Sequence, residues 1–208
     1  MTTLFTLIFL ITHHNTGIAD RQTDKVLEQT RKLYENLDEV CAEFTQIFHW
    51  KLTDETQIIK GTICAKGGDK FKISTDEQLI VTNGKVLWTL NKQNGQVIVD
   101  TAENSSDNPF VKDFLQKYIN DYDALVSDEC STNELICVRM TSKSGSDFVS
   151  TMRLWINRKT DFIQKIEQID LNENTTTFEF SQIATDVSLS NKDFSLDIPS
   201  GADVIDMR

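Results

Sequence analysis

The pattern of apolar and polar residues changes its period close to residue 40. Before that point the apolar side chains recur with the spacing of a helix, at Val26, Leu27, Leu33 and Leu37, and charged residues fill many of the positions between them. One apolar stripe opposite one charged face is typical of an amphipathic helix that packs on a core. We therefore predict a helix over residues 23–39.

From residue 41 onward the apolar residues recur at every second position instead. Phe44, Phe48 and Trp50 alternate with mostly polar neighbours, which is typical of a strand with one apolar face. Two Asn-Gly pairs farther along, at 83–84 and 94–95, favour tight hairpin turns between short strands. The predicted strands cover residues 41–52, 57–66, 70–74, 78–82, 85–91, 95–100, 122–130, 135–142, 148–157, 161–170, 175–185 and 193–198.

Short strands joined by tight turns predict an antiparallel meander. We predict a mainly β fold with covering helices (α+β), arranged as an unclosed antiparallel β-barrel or strongly curved sheet of about 11 strands. Asp107 and Pro109 begin a second predicted helix over 108–120, and the two helices are available to cover the concave face as a lid. We predict the last strand at Phe194–Ile198 and its end at Pro199, because proline has no N–H to donate.

Composition then limits the partners and the compartment. The chain of 208 residues has a formal net charge of −11, which disfavours nucleic acid as a partner because phosphate is also anionic. The apolar run Leu4–Ile11 is too short to span a bilayer but suits a signal-peptide core, and small residues at Gly17 and Ala19 favour cleavage after residue 19. We predict a signal peptide at 1–19 and a single domain at 20–208. A buried N-terminal strand is the alternative interpretation.

The cysteines fit an exported protein. A lipid anchor needs a cysteine directly after the apolar run, but the first one is Cys41, so we expect a soluble, exported chain. An even number of cysteines in an oxidising compartment favours disulfides. A turn near Asn133 places Cys130 opposite Cys137, so we predict that cross-strand pair. The pairing of Cys41 with Cys64 stays open, and buried free thiols are the alternative throughout.

Candidate catalytic or metal-binding residues are few. His49 is the only histidine in residues 20–208 and falls on the polar side of its strand, so a Ser–His–acid arrangement would depend on one solvent-facing residue. Residues 170–174 resemble the start of a calcium loop, but Thr175 and Ser181 stand where that loop needs glycine and a bidentate glutamate. The cysteine spacings match no zinc module. We predict no metal, no cofactor and no enzyme activity, with a hydrolase that uses His49 as a minor alternative.

Several stretches follow one another in the order of a known family. They are AEFTQ at 42–46, KFKI at 70–73, LIVTNGKVLWTLNK at 79–92, NPFVKDFL at 108–115 and FSLDIPSGADVID at 194–206. With the signal-like start, this order resembles the periplasmic outer-membrane lipoprotein carrier family, LolA, over residues 22–206. The resemblance implies a periplasmic chaperone that carries acylated lipoproteins from an inner-membrane ABC transporter to an outer-membrane acceptor lipoprotein, and we expect a monomer. A lipid- or lipoprotein-sensing regulatory domain on the same fold is the alternative.

The resemblance gives the apolar side chains a role. It implies a cavity that shields acyl chains beneath a helical lid, where each buried CH₂ contributes about 0.8 kcal/mol. The same side chains could instead pack a dry core under the helices. The predicted cavity residues are Phe44, Phe48, Trp50, Phe71, Ile73, Leu79, Val81, Trp88 and Leu90, and the predicted lid residues are Leu33, Leu37, Phe110 and Phe114.

One short stretch departs from the family pattern. Family members carry an arginine and a proline before the strand at 70–74, and the arginine latches the lid, whereas this chain has Gly67 and Gly68 there. The latch cannot be carried over to this chain. Lys66 or Lys70 could replace it, although an ammonium lacks the planar fork of a guanidinium.

Overall fold

A computed structural model of the protein describes residues 16–104, 120–185 and 187–208. Residues 1–15 of the predicted signal peptide and residues 108–119 of the second predicted helix lie outside these ranges. Within the ranges, every helix is too short or too polar to cross a membrane.

The described chain forms one long helix, two short 3-10 helices and twelve strands. Helix α1 spans Thr16–Asn36, and the 3-10 helices span Ala102–Asn104 and Asn191–Phe194. The strands are β1 Glu39–Trp50, β2 Glu55–Lys66, β3 Lys70–Thr75, β4 Gln78–Asn83, β5 Val86–Asn91, β6 Gln96–Thr101, β7 Tyr122–Val126, β8 Leu135–Ser142, β9 Val149–Asn157, β10 Ile163–Asp170, β11 Thr175–Ala184 and β12 Asp203–Asp206.

All of these strands belong to one sheet with the order β12-β6-β5-β4-β3-β2-β1-β11-β10-β9-β8-β7. The edges β12 and β7 do not meet, so the curved sheet is unclosed. The long strand β1 lies in the middle and pairs with both β2 and β11. The prediction of a mainly β, unclosed and curved sheet is confirmed. Neighbouring strands pair antiparallel except β12, which runs parallel to β6.

Helix α1 ends three residues earlier than its apolar pattern predicts. It stops at Asn36, whereas the prediction extended to residue 39. Glu39 and Val40 pair instead with β2, opposite Lys66 and Ala65. The backbone N–H and C=O groups of Glu39 and Val40 form hydrogen bonds in the β1–β2 hairpin instead of in the helix. The helix therefore ends before the helical spacing of apolar residues does.

Helix α1 crosses one end of strands β7 to β10. Thr23 Oγ1 accepts a hydrogen bond from Val126 N at 2.9 Å, and the Tyr34 hydroxyl accepts one from Ile163 N at 3.2 Å. Val126 and Ile163 lie at the same end of the sheet, since β8 and β9 pair between them. We call the face under α1 the inner face and the opposite one the outer face. The core beneath the helix contains Val26, Leu27, Tyr122, Val138, Met140, Met152, Leu154, Ile156, Ile163 and Ile166.

The predicted closing strand at Phe194–Ile198 is wrong. Phe194 closes the second 3-10 helix and is fully buried, and the strand begins only at Asp203, beyond Pro199. Alternation fails here because one buried aromatic side chain can hold an extended segment in place without any sheet pairing. The chain end therefore adds a parallel strand beside β6 instead of an antiparallel one.

Residues 187–202, here called the C-terminal strap, contact the outer face and lead into β12 at the edge of the sheet. Leu189 N donates to Glu39 Oε2 at 2.9 Å, and Lys66 Nζ donates to Leu189 O at 2.6 Å and to Glu39 Oε1 at 2.5 Å. Lys70 Nζ donates to Asn191 Oδ1 at 3.3 Å. Both backbone groups of Leu189 are thus bonded to an ion pair on the sheet.

Two disulfides join all four cysteines in pairs. Cys41 and Cys64 are opposite each other on β1 and β2, on the outer face, with 4.1 Å between their Cα atoms. Cys130 and Cys137 are joined with 5.6 Å between their Cα atoms. Cys130 lies in a turn, because β7 ends at Val126 and not at residue 130 as predicted.

The Glu39–Lys66 pair makes the strap sensitive to pH. The hydrogen bond from Lys66 and, to a lesser extent, that from Leu189 N lower the pKa of Glu39 below its ordinary value of 4.5. The ionised carboxylate therefore stabilises the folded protein above pH 4.5, and this contribution is lost as the pH falls through the lowered pKa. We expect Glu39→Gln to lower the urea midpoint at pH 7 and to lower it less at pH ~2.5, because protonation of the wild-type carboxylate weakens the same contacts. Glu43→Gln, an exposed carboxylate on the same strand, is the control. Equal losses at both pH values would contradict the assignment.

Candidate functional site

The pairing register assigns the predicted cavity residues to two opposite faces. Residues that pair directly across strands share a face, and Phe44 pairs with Phe180 and with Gly61. Phe180 packs against the core beneath α1, so Phe44 lies on the inner face. Phe48 and Trp50 share that face by alternation along β1. Following the pairs from β2 to β3 places two further predicted residues there, Phe71 and Ile73.

The remaining four predicted residues lie on the outer face, which corrects the prediction of one common cavity. Ile80 pairs with Ile73 and therefore lies on the inner face, so its neighbours Leu79 and Val81 in β4 point to the outer face. Leu90 pairs with Leu79 and Trp88 pairs with Val81, which places both on the outer face as well. Val81 is only 1% exposed, and the 3-10 helix that carries Phe194 lies against β3 and β4. These four residues therefore lie on the outer face, which the strap contacts at β3 and β4.

Sequence alternation failed at β4 and β5 because both of their faces are apolar. The stretches LIV in β4 and VLW in β5 contain consecutive apolar residues, so a period of two does not identify the inward side. A shift of one residue moves the whole set to the other face. The inner-face residues that this reasoning missed could be traced from Ile73 through the hairpin register. They are Ile63, Ile80, Leu87 and Ile98.

The corrected set forms a continuous apolar surface, here called the inner wall. Most of its side chains are half-buried, whereas Phe71 is 5% exposed and Trp50 is 36% exposed. By contrast, Val138, Met140, Met152 and Leu154 under α1 are completely buried. A dry core therefore describes the inner face at β7 to β10, and a partly accessible surface describes it at β1 to β6. The inner wall consists of Phe44, Phe48, Trp50, Ile63, Phe71, Ile73, Ile80, Leu87 and Ile98.

Gly61 makes room for the aromatic ring at the centre of the inner wall. Gly61 lies within β2, opposite Phe44 and Thr75. A Cβ atom there would come within 2.9 Å of Phe44 Cε1 and 2.4 Å of the Ser74 carbonyl oxygen. The Phe44 ring therefore lies over bare backbone, which no other residue type allows.

A cavity opens on the inner face at the end of the sheet away from α1. Its volume is about 190 Å³, and Phe48, Thr176 and Gln168 come from one row of paired residues across β1, β11 and β10. Phe48 also makes an edge contact with Trp50, at 4.3 Å between ring centroids. The cavity has one apolar side and one amide-rich side. The complete lining is Phe48, Phe148, Val149, Gln168, Asp170, Asn172, Asn174 and Thr176.

The predicted lid residues occupy different surroundings. Leu33 and Leu37 are half-buried and line an open cleft of about 410 Å³ beside Asp161, while other residues hold α1 on the core. Phe110 and Phe114 lie outside the described residues.

The candidate lid latch is also placed elsewhere. Gly67 and Gly68 form the β2–β3 turn with φ of 64° and 80°, a conformation that proline cannot adopt. Lys66 and Lys70 donate to the strap on the outer face, which is the face opposite α1. Neither lysine therefore replaces the family's arginine as a latch on this helix.

His49 lies on the outer face with its side chain partly exposed. Its Nδ1 is 3.2 Å from Thr56 Oγ1, and its Nε2 is 3.7 Å from Asp54 Oδ1. Among the described residues, His, Cys, Asp and Glu form no group of three or more that could hold a metal ion. Residues 171–174 form a hairpin turn in which Asp170 Oδ1 accepts the N–H groups of Asn172 and Asn174.

Known proteins resemble this chain over most of its length. The family model described as "Outer membrane lipoprotein carrier protein LolA" matches residues 35–197. The outer-membrane lipoprotein carrier protein of Francisella tularensis is 25% identical over 206 residues, which cover 97% of this chain and 94% of that one. The protein of the same name from Coxiella burnetii is 27% identical over 201 residues, 91% and 90% of the two chains. An uncharacterized conserved protein from Thermus thermophilus has a TM-score of 0.59 at 11% identity, covering 88% of this chain and 98% of its own, and indicates a shared fold alone.

We expect Gly61→Ala to lower the free energy of unfolding by about 1–3 kcal/mol, because the added methyl group overpacks the site beneath Phe44. Urea denaturation measures the loss. Thr62→Val, at the next position on the exposed outer side of β2, is the matched control and should change stability by less than about 0.5 kcal/mol. An alanine variant as stable as the wild type would show that Phe44 does not depend on this glycine.

Proposed function

The chain belongs to the outer membrane lipoprotein carrier protein family LolA, and on that premise we propose that its inner wall binds the acyl chains of lipoproteins. The observation that carries the proposal is the half-buried state of this wall beside a completely buried core. Apolar side chains that stay partly accessible on one continuous surface are suited to a ligand of the same character.

Such a wall would stabilise acyl chains by shielding them from water. Each CH₂ group that leaves water contributes about 0.8 kcal/mol, so even a partly covered chain gains several kcal/mol. Branched and aromatic side chains offer this gain without directional polar contacts. One wall can therefore accept acyl chains attached to different proteins.

The finer steps are part of the same proposal. We infer that the protein acts in the periplasm as a monomer and transfers lipoproteins between an inner-membrane ABC transporter and an outer-membrane acceptor lipoprotein. The family membership and the predicted signal peptide support this route. The two disulfides add support, because such bonds persist in oxidising compartments.

Helix α1 is the described element that is suited to move when cargo binds. Its buried side includes two threonines, Thr23 and Thr30, and the Thr30 hydroxyl has no hydrogen-bond partner among the described residues. An unsatisfied buried hydroxyl weakens the packing of the helix on the sheet. We infer that α1 can shift away from the sheet at modest cost and enlarge the accessible part of the inner face.

The three tryptophans provide a test of which face binds. Trp50 lies on the inner wall, whereas Trp88 and Trp155 lie on the outer face. Bromine on an acyl chain quenches tryptophan emission only near contact. We therefore expect dibromostearate to quench a Trp88→Phe/Trp155→Phe protein, which keeps Trp50, and to leave the emission of a Trp50→Phe protein almost unchanged.

Unbrominated stearate is the control for quenching that does not come from contact. Circular dichroism checks that the variants fold. If the Trp88→Phe/Trp155→Phe protein does not fold, the difference in quenching between the wild type and Trp50→Phe reports the contribution of Trp50 instead. Equal quenching of the Trp88→Phe/Trp155→Phe protein and of the Trp50→Phe protein would reject the inner wall as the site. The absence of quenching from any tryptophan would reject acyl-chain binding there altogether.

A further inference from the structure

Three hairpin turns lie side by side at the end of the sheet away from α1. Lys51 N donates a hydrogen bond to Asn174 Oδ1 at 3.1 Å, which joins the β1–β2 turn to the β10–β11 turn. Leu171 N donates to Phe148 O at 3.0 Å, which joins that second turn to the β8–β9 loop. The three connections are therefore fixed relative to one another. Their residues are 51–54, 171–174 and 143–148.

Each of these turns exposes a large apolar side chain. Leu52 is 96% exposed, Phe148 is 68% exposed and Leu171 is 54% exposed. Trp50 stands beside them at the end of β1. Exposed apolar side chains that cluster on connected turns differ from scattered surface residues and indicate an interaction surface. We call these four residues the tip surface.

The tip surface is continuous with the inner wall. Trp50 belongs to both, and Phe48 beside it lines the cavity at this end of the sheet. Phe148 lines the same cavity from the opposite side. A ligand whose apolar part occupies the wall would therefore carry its polar part out across the three turns.

We propose that the tip surface binds the polypeptide of an acylated protein directly beside its lipid-modified residue, and that it favours basic over acidic sequence there. This inference rests on the proposed function, since it concerns the part of the same cargo that remains outside the wall. The apolar tips bury the first side chains of the peptide, and the charged residues between them select its sign.

The charge on the turns gives the reason for that sign. The turns and the residues that flank them carry five carboxylates and only two lysines. A peptide with lysines after its acylated residue meets a favourable potential here, whereas one with glutamates meets repulsion. The carboxylates are Asp54, Glu55, Asp147, Asp170 and Glu173, and the lysines are Lys51 and Lys143.

A bilayer is the competing occupant of the same surface. Apolar side chains on turns can insert into a membrane interface, but anionic headgroups would repel these carboxylates. Four apolar side chains also provide little buried area for a stable membrane contact. The charge balance therefore favours a peptide over a lipid surface.

The test compares two synthetic tripalmitoylated cysteinyl-serine peptides, one followed by four lysines and the other by four glutamates. Their affinities are measured through Trp50 emission in the Trp88→Phe/Trp155→Phe background, with wild type minus Trp50→Phe as the second measurement. We expect the lysine peptide to bind about tenfold more tightly at low ionic strength. We expect the ratio to approach one in ~0.5 M NaCl, where the charges are screened.

Matched variants locate the source of the preference. Asp54→Asn/Glu173→Gln should reduce the ratio to about twofold or less, because it neutralises two exposed carboxylates on the turns. Asp128→Asn/Glu129→Gln makes the same charge change at the opposite end of the sheet and should leave the ratio unchanged. Leu52→Ser/Phe148→Ser should weaken the binding of both peptides.

The possible outcomes separate this inference from the proposed function. Equal affinities for the two peptides, or an equal loss of preference in the control variant, would overturn the inference and leave acyl-chain binding intact. Failure of both peptides to bind would overturn the two together. Co-sedimentation with phosphatidylcholine vesicles that depends on Leu52 and Phe148, with unchanged peptide affinities in the serine variant, would assign the surface to a bilayer and overturn the inference.

Discussion

The register of β1 against its two neighbours is the constraint on which the rest of the structure depends. Successive residues of a strand point to opposite faces, so each pairing decides which side chains can contact a helix, a strap or a ligand. Phe44 illustrates this, because its pairs with Gly61 and Phe180 place one ring over bare backbone and next to the core beneath α1. All inner-face assignments from β2 to β6 follow from that register.

The sheet is covered on opposite faces at its two ends. Helix α1 packs on the inner face of β7 to β10, and the strap packs on the outer face of β3 and β4, where Phe194 is completely buried. A β-sheet needs burial of at least one apolar face to be stable, and each half of this sheet meets that need with a different face. On the inner face of β1 to β6, most side chains of the inner wall stay partly accessible without loss of the fold.

The two ends of the inner wall differ in charge and in shape. The ion pair of Glu39 and Lys66 secures the strap near the end of the sheet that α1 crosses. The opposite end carries the apolar tips, the cavity and an excess of carboxylates. The two ends of one apolar surface thus differ in charge, exposure and contacts, which suits a cargo with an apolar part and a polar part.

The sequence by itself determined the helix, the strands of the meander and the class of fold, because periods of 3.6 and 2 are local properties of the chain. It also indicated Phe44, Phe48 and Trp50 as one face, since their alternation in β1 has few interruptions. Only the tertiary structure decided that Leu79, Val81, Trp88 and Leu90 lie on the outer face. It also decided that Phe194 is buried in a 3-10 helix and that Leu52, Phe148 and Leu171 lie on neighbouring turns. These features depend on pairing and packing between residues far apart in the chain, and where both faces of a strand are apolar, no local pattern records which face is turned inward.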